Sequence, residues 1–391
     1  MEQTRLQKVQ KMLRQETADA LLVWNHEGSG QPATAWLSGF TGTFSILLIV
    51  RNKILRPAAT SFMKGGIRPF LITDGRYTIQ AKKEARGFVV KIASGQTSAL
   101  KILGTLIKQE KIASIIFDGS VTPYSVIEDM KRETGEVTFS SRKRILQELR
   151  LVKERSELLL LTKAAQIAGR AFTRLLSCIR IGMTEKEIAH RLEALCIEKG
   201  AEGFAFPTSI ASGKNGALPH AKATDKKLKR GELITIDFGI RYKGYVSDMT
   251  RMVAVGKASP KLLKIHEAIR AAQELGCKRV RAGMTGKEVD AVCRDYLKKK
   301  GYGKYFTHST GHGIGMEIHE LPNVSPHPTS LLPSKAGRKQ MIPVGAVITI
   351  EPGAYIPNVG GVRIEDALIL TKGGSVNLSE SIPKELFVLK R

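Results

Sequence analysis

Acids are scarce in this chain: 36 Asp and Glu face 62 Lys and Arg, a net charge of +26. Such an imbalance raises the question of nucleic acid, and Lys226-Lys227-Leu228-Lys229-Arg230 is a local basic run. The bases are otherwise scattered, without an aromatic-interleaved patch or a recognisable nucleic-acid module, so the charge reads as a solvated basic surface with no specific nucleic-acid partner. Cysteine is scarce too. Cys178, Cys196, Cys277 and Cys293 form no C-x-x-C pair, and three lie in helix-like sequence, which predicts buried thiols in a reducing cytoplasm. No uninterrupted apolar run approaches 18 residues and Met1–Gln10 is polar, so the expectation is a soluble chain, neither exported nor bound in a membrane. Low-complexity sequence is confined to a Pro- and Ser-containing loop, Pro326–Lys335.

What is present is apolar sequence enough for two cores, 42% of 391 residues. Its most informative stretch is Gly231–Thr250, GELITIDFGIRYKGYVSDMT, which sets Asp237 and Asp248 within strand-like sequence. Lys243-Gly244 is suited to turn the chain back as a two-residue hairpin loop. Asp248 then lies opposite Gly239, and the two carboxylates are diagonal neighbours on one face about 7–8 Å apart. Such a separation accommodates metal ions about 3.5–4 Å apart.

The pattern returns. Pro343–Gly353, PVGAVITIEPG, repeats Lys229–Gly239, KRGELITIDFG, at an offset of 114 residues, with Glu351 in the place of Asp237. A second acid follows each, Asp248 and Glu365, and a five-residue loop at Pro357–Gly361 would absorb the difference in their spacing. Upstream, Gly182–Glu187 matches Gly283–Glu288 at an offset of 101, each leading into a helix-like stretch. Two copies of a helix-then-hairpin unit therefore give a carboxylate pair each to a shared centre.

Residues 1–143 read as a separate α/β unit. Helical spacing over Leu6–Glu16 precedes strand candidates at Ala20–Trp24, Phe44–Val50, Pro69–Ile72 and Ile112–Phe117, which predicts a mixed sheet flanked by helices. The polar shift at Ser140–Lys143 predicts a linker, and 144–391 the second domain. Ile145–Cys178 should be helical with a break near Val152.

Four of the eight histidines, His220, His308, His312 and His319, lie around the repeated hairpins. Imidazole suits the first-row metals that carboxylates also bind, and glycines beside His312 let backbone approach a crowded centre. Unmetallated, converging acids would repel one another and take up protons; divalent cations resolve that conflict. The Gly311–Gly315 run lacks the spacing of a dinucleotide fingerprint.

In the segments ITIDFG, VSDMTR, STGHGIG, ITIEPG and VRIED, Asp237, Asp248, His312, Glu351 and Glu365 resemble the five-ligand set of the pita-bread metallopeptidases. Leu37–Gly42 and Thr73–Tyr77 are similar to the amino-terminal domain of that family's aminopeptidase P, prolidase and creatinase branch. The resemblance implies an α/β (α+β) chain: a creatinase/prolidase-like domain, then a pseudo-twofold pita-bread catalytic domain. It also implies two divalent ions, usually manganese with cobalt or zinc as substitutes, in a cytoplasmic homodimer. Asp237 would hold one ion, His312 and Glu351 the other, and Asp248 and Glu365 both. His220 matches a histidine that assists proton movement, His308 and His319 those that contact the peptide and the developing oxyanion, and Arg363 the arginine beside the last ligand. Glu351 is placed to pass a proton to the departing nitrogen. The expected activity is removal of the first residue from peptides with proline second; prolidase action on Xaa-Pro dipeptides is the alternative, and a non-catalytic binding protein on the same fold the reading from another class. Two departures bear on specificity: Leu321 stands where relatives commonly carry a second Glu, and the loop through 326–340 is long.

Overall fold

Ala20-Leu-Leu-Val-Trp-Asn25 is too apolar for a surface, and in the computed structural model it is an inner strand of a six-stranded sheet. The structure describes residues 4–29, 31–52, 69–327 and 340–389. The chain divides into two units, Met1–Leu149 and Arg150–Arg391.

The first unit runs α1 (Arg5–Gln15), β1 (Ala20–Asn25), α2 (Pro32–Ser38), β2 (Ser45–Val50), β3 (Phe70–Asp74), α3 (Thr78–Glu84), β4 (Val89–Ala93), α4 (Ala99–Gln109), β5 (Ser114–Phe117), α5 (Tyr124–Thr134) and β6 (Thr138–Ser141). Its sheet order is β4-β3-β2-β1-β5-β6, antiparallel where β1 meets β2 and β2 meets β3, parallel elsewhere, so the expected mixed sheet is present. A core of Leu22, Ile46, Leu48, Ile72, Leu103 and Met130 joins sheet to helices. Two strands escaped the sequence reading. β6 has one apolar residue, Phe139, and so little signal, whereas β4 is apolar except for Lys91 and was legible in the sequence. Ser140 and Ser141, expected in a linker, belong to the edge strand β6.

After α6 (Ile145–Arg150), the expected helical break falls at residues 151–154, and α7 (Arg155–Leu176) begins with a capping box between Glu154 and Glu157. Then follow α8 (Glu185–Glu198), β7 (Gly203–Phe204), β8 (Ser209–Ser212), β9 (Leu233–Phe238), β10 (Ile240–Tyr242), β11 (Tyr245–Val246), β12 (Met249–Val255), α9 (Pro260–Arg279) and α10 (Gly286–Lys299). The last strands are β13 (Gly311–Gly313), β14 (Glu320–Val324), β15 (Val347–Ile350), β16 (Gly353–Ile356), β17 (Gly360–Arg363), β18 (Asp366–Leu370), β19 (Ser375–Asn377) and β20 (Phe387–Leu389).

The duplication is visible bond by bond. Thr184 and Thr285 cap α8 and α10 through the same box with Glu187 and Glu288. Leu228 N–H donates to the Met183 carbonyl at 2.9 Å, and Ile342 N–H to the Met284 carbonyl at 2.8 Å. Isolated bridges join Thr184 to Lys227 and Thr285 to Met341. Gly231 and Gly345 take the same left-handed turn, φ +87° and +84°.

Both hairpins form, with one correction. Lys243 and Gly244 both have positive φ, as a two-residue primed turn requires, and the pairing Tyr242–Tyr245 continues to Phe238–Met249, which sets Asp248 opposite Gly239 as expected. The second hairpin pairs Ile356 with Gly360, so its loop is three residues, Pro357–Val359, not five. Asn358 supplies the left-handed residue, φ +61°. The register continues to Ile350–Asp366, so Glu351 and Glu365 are directly opposed rather than diagonal. The long-loop expectation at 326–340 falls mostly on residues 328–339, outside the described residues. All four cysteines are free; Cys196 and Cys293 are buried, while Cys178 and Cys277 are only partly so, short of the expectation for all four.

Candidate metal centre

The two hairpins turn their acids towards His312, which β13 carries between β14 and β15. Ligand atoms of Asp248, His312 and Glu365 all lie within 4.8 Å of one another. His312 Nε2 is 3.5 Å from Asp248 Oδ2 and 3.4 Å from Glu351 Oε1. The fifth of the expected ligands, Asp237, lies outside the tight trio and is ion-paired to the Arg363 guanidinium; its charge still reaches Asp248, Glu351 and Glu365.

The centre is short of positive charge. Burial, then the charges of Glu365 and Asp237, push the Asp248 carboxyl well above its usual range. Burial and the charges of Glu351 and Asp237 do the same to Glu365, and burial carries Glu351 to about 8. Arg363 is the buried cation in contact; although burial opposes its charge, Tyr355, Asp237 and Glu351 hold it protonated.

His312 decides what fits. Burial and the neighbouring His319 lower its pKa to about 3, so the ring is neutral. Its Nδ1 lies 3.1 Å from the Gly313 carbonyl, which can only accept, so Nδ1 carries the proton and Nε2 presents a lone pair to two carboxylates. Lone pair facing carboxylate is repulsive unless a proton or a metal ion lies between them, and a divalent ion can replace those protons. This donor set, carboxylate oxygens with one imidazole whose other nitrogen is fixed by a carbonyl, fits a divalent first-row ion.

Two threonines, both fully buried, orient the acids. Thr250 Oγ1 donates to Glu365 Oε2 at 2.7 Å and accepts from Arg363 Nε at 3.1 Å. Thr349 Oγ1 donates to Glu351 Oε1 at 3.2 Å and accepts from the His312 N–H at 3.1 Å. Beneath them, Arg251 pairs with buried Asp366 at 2.6 Å and donates to the Glu365 carbonyl at 2.6 Å, tying the first hairpin to the second.

The remaining histidines separate by their partners. His308 is neutral, lowered to about 4 by burial. Its Nδ1 is 2.8 Å from the Ser309 carbonyl and its Nε2 2.9 Å from the Tyr355 hydroxyl, so Nδ1 donates, Nε2 accepts, and no N–H is left for a substrate. His319 packs edge-on against His312, centroids 4.2 Å apart, and burial lowers its pKa. His220 is exposed, on a loop held where Arg363 Nη1 donates to the Pro219 carbonyl at 3.0 Å. Buried Glu185 braces the start of that loop by accepting from Ser212, Asn215 and Thr224.

Tyr355, Thr250 and Thr349 escaped the sequence reading. Tyr355 hydroxyl accepts from Arg363 Nη1 at 2.8 Å as it donates to His308, and burial raises it to about 12. The available signal was an aromatic with a polar tip four residues past Glu351, on a strand whose other side chains are apolar.

Residues 160–372 match the model of metallopeptidase family M24, and residues 5–152 that of the creatinase/prolidase N-terminal domain. A Xaa-Pro dipeptidase of Pyrococcus horikoshii is 40% identical over 272 residues, 70% of this chain and 74% of that protein. Among solved structures, an X-Pro aminopeptidase from Thermotoga maritima superposes with a TM-score of 0.84 at 37% identity, covering 97% of this chain and 100% of that one. A Xaa-Pro dipeptidase from Bacillus anthracis gives 0.87 at 36%, covering 98% and 99%. With its buried carboxylates gathered on one imidazole and an M24 match over more than half its length, the chain belongs to metallopeptidase family M24, a creatinase/prolidase N-terminal domain followed by a pita-bread domain.

Proposed function

We propose that this chain is a dimetal exopeptidase that removes the first residue from peptides with proline in second position. The observation that carries the reading is the unprotonated Nε2 of His312 facing Asp248 and Glu351 at 3.4–3.5 Å, among buried acids that keep their protons unless divalent ions replace them. Asp237, Asp248, His312, Glu351 and Glu365 would hold two divalent ions. Manganese is the native choice, with cobalt or zinc as substitutes; a homodimer in the cytoplasm completes the assignment.

Divalent ions bound there would supply a Lewis acid for a scissile carbonyl and would lower the pKa of water from about 15.7 towards neutrality. The chain's own groups do the rest. Thr250 and Thr349 fix the carboxylates of Glu365 and Glu351 before substrate arrives, so no reorganisation is needed during reaction. Glu351, held by Thr349, passes a proton to the departing nitrogen. His319 donates the hydrogen bond to the developing oxyanion. His308, with both nitrogens engaged, instead orients Tyr355 and Arg363. His220, exposed beside the site, moves protons between substrate and solvent.

The kinship to a Xaa-Pro dipeptidase at 40% identity favours one second reading, prolidase action on dipeptides alone. Hydrolysis of a Xaa-Pro dipeptide and a Xaa-Pro tripeptide, each with and without manganese, separates them. Cleavage of the tripeptide supports the aminopeptidase; cleavage of the dipeptide only, the prolidase; cleavage of neither at any metal level leaves a peptide-binding role and sinks both.

A further inference from the structure

Arg150, Lys153 and Glu320 are only 2%, 5% and 4% exposed, yet the chemistry above uses none of them. Lys153 Nζ lies 2.6 Å from Glu320 Oε1, and Arg150 Nη2 lies 3.6 Å from Glu320 Oε2 while pairing with Glu317. Arg150 Nε and Nη1 are buried without a hydrogen-bond partner. Burying so much charge is costly, and well-packed apolar side chains of similar volume would serve stability as well or better. The cluster therefore calls for a reason other than stability.

Its position supplies one. Glu320 is the residue after His319 and pairs across the β13–β14 hairpin with Gly313, the residue after His312. The loop between them folds tightly around the Glu320 carboxylate: a Cβ at Gly315 would overlap Oε1. Gly315 N–H donates to the Glu317 carbonyl at 3.2 Å, and Arg241 Nη1 to the Met316 carbonyl at 3.1 Å. The cationic side is equally fixed, because Lys153 N–H donates to the carbonyl of Gly345, the left-handed turn that opens the second repeat, at 3.0 Å. We infer that Arg150 and Lys153 are positioning residues: through Glu320, the neighbour of His319, they fix the β14 end of this loop and so the placement of the His319 imidazole over the reacting carbonyl, while His312 on β13 is held separately by Thr349. This rests on the reading of His319 given under Proposed function.

The test is a double-mutant cycle on the manganese-loaded enzyme with a Xaa-Pro tripeptide. Lys153→Met should lower kcat roughly tenfold, the scale of a catalytic group displaced by a fraction of an ångström, with KM and bound manganese unchanged. In a His319→Ala background the same change should have no further effect, because the residue acts through His319. Lys153→Met/Glu320→Leu removes the Lys153–Glu320 pair and leaves Arg150 its partner Glu317, and should melt near the wild-type temperature while remaining slow; it carries the test if Lys153→Met alone does not fold. Lys153→Met losses that multiply with those of His319→Ala, or wild-type kcat in the double apolar variant, would overturn the inference. A wild type inactive on both peptides would instead strike the functional reading, and this inference with it.

Discussion

Asp248 shows how one residue's surroundings dictate its task. A carboxyl this buried, beside Glu365 and within 3.5 Å of a neutral imidazole, is stable as an anion only with a cation in contact. Asp248→Ala should abolish turnover and drop manganese below two ions per chain, read by elemental analysis of the dialysed protein; full metal content with normal turnover would remove Asp248 from the centre. His220 makes the opposite prediction. Exposed and outside the acid cluster, it should give, on His220→Ala, slower turnover at unchanged metal content, and metal loss would make it a ligand. Tyr355 lies between these cases. Its hydroxyl joins His308 to Arg363, so Tyr355→Phe leaves two buried groups short of a partner, a cost of about 1–3 kcal/mol that should reach the substrate as a roughly tenfold fall in kcat.

At the scale of elements, the close approach of strands β13 and β15 matters more than any one side chain. A Cβ on Gly311 would collide with the Thr349 backbone carbonyl, whereas at Gly373 it would meet nothing within 4 Å. Gly311→Ala should therefore cost about 1–3 kcal/mol and loosen metal binding by shifting His312, while Gly373→Ala should be near neutral, both read from thermal melts with and without manganese. The hairpins also show which parts of the site could be read from sequence. Register in the first followed from Lys243-Gly244, because a two-residue turn fixes pairing for the whole ladder. The second misled because Asn358 adopts the left-handed conformation and shortens the loop to three residues, a choice that side-chain type permits but does not dictate. The acids and His312 stood out because charge inside apolar strands is costly to bury, and its return at one spacing marks two strands that serve a common centre. The hydroxyls of Thr250, Thr349 and Tyr355 did not, since threonine and tyrosine are ordinary strand residues and only tertiary contact reveals their partners. Lys153 and Glu320 were invisible for the same reason, being 167 positions apart.

For the whole molecule, the centre makes stability depend on metal and pH together. In the metal-free protein Glu351 is raised from 4.5 to about 8, with burial the main cause, and Asp248 and Glu365 are raised as well. Between pH 4.5 and about 8 the folded state therefore holds protons that the unfolded chain has released. Where the folded state binds more protons, stability falls as pH rises, so the metal-free protein should be steadiest below pH 4.5 as far as these groups are concerned and should weaken up to about pH 8. Divalent ions displace those protons, so binding releases them and strengthens with pH. The rise in melting temperature on adding manganese should thus be larger at pH 8 than at pH 5.5, with proton release measurable as a dependence of the binding enthalpy on buffer ionisation. An increment independent of pH, with no proton released, would mean that the acids are already ionised without metal, and that Arg363 alone balances the charge that the buried carboxylates bring together.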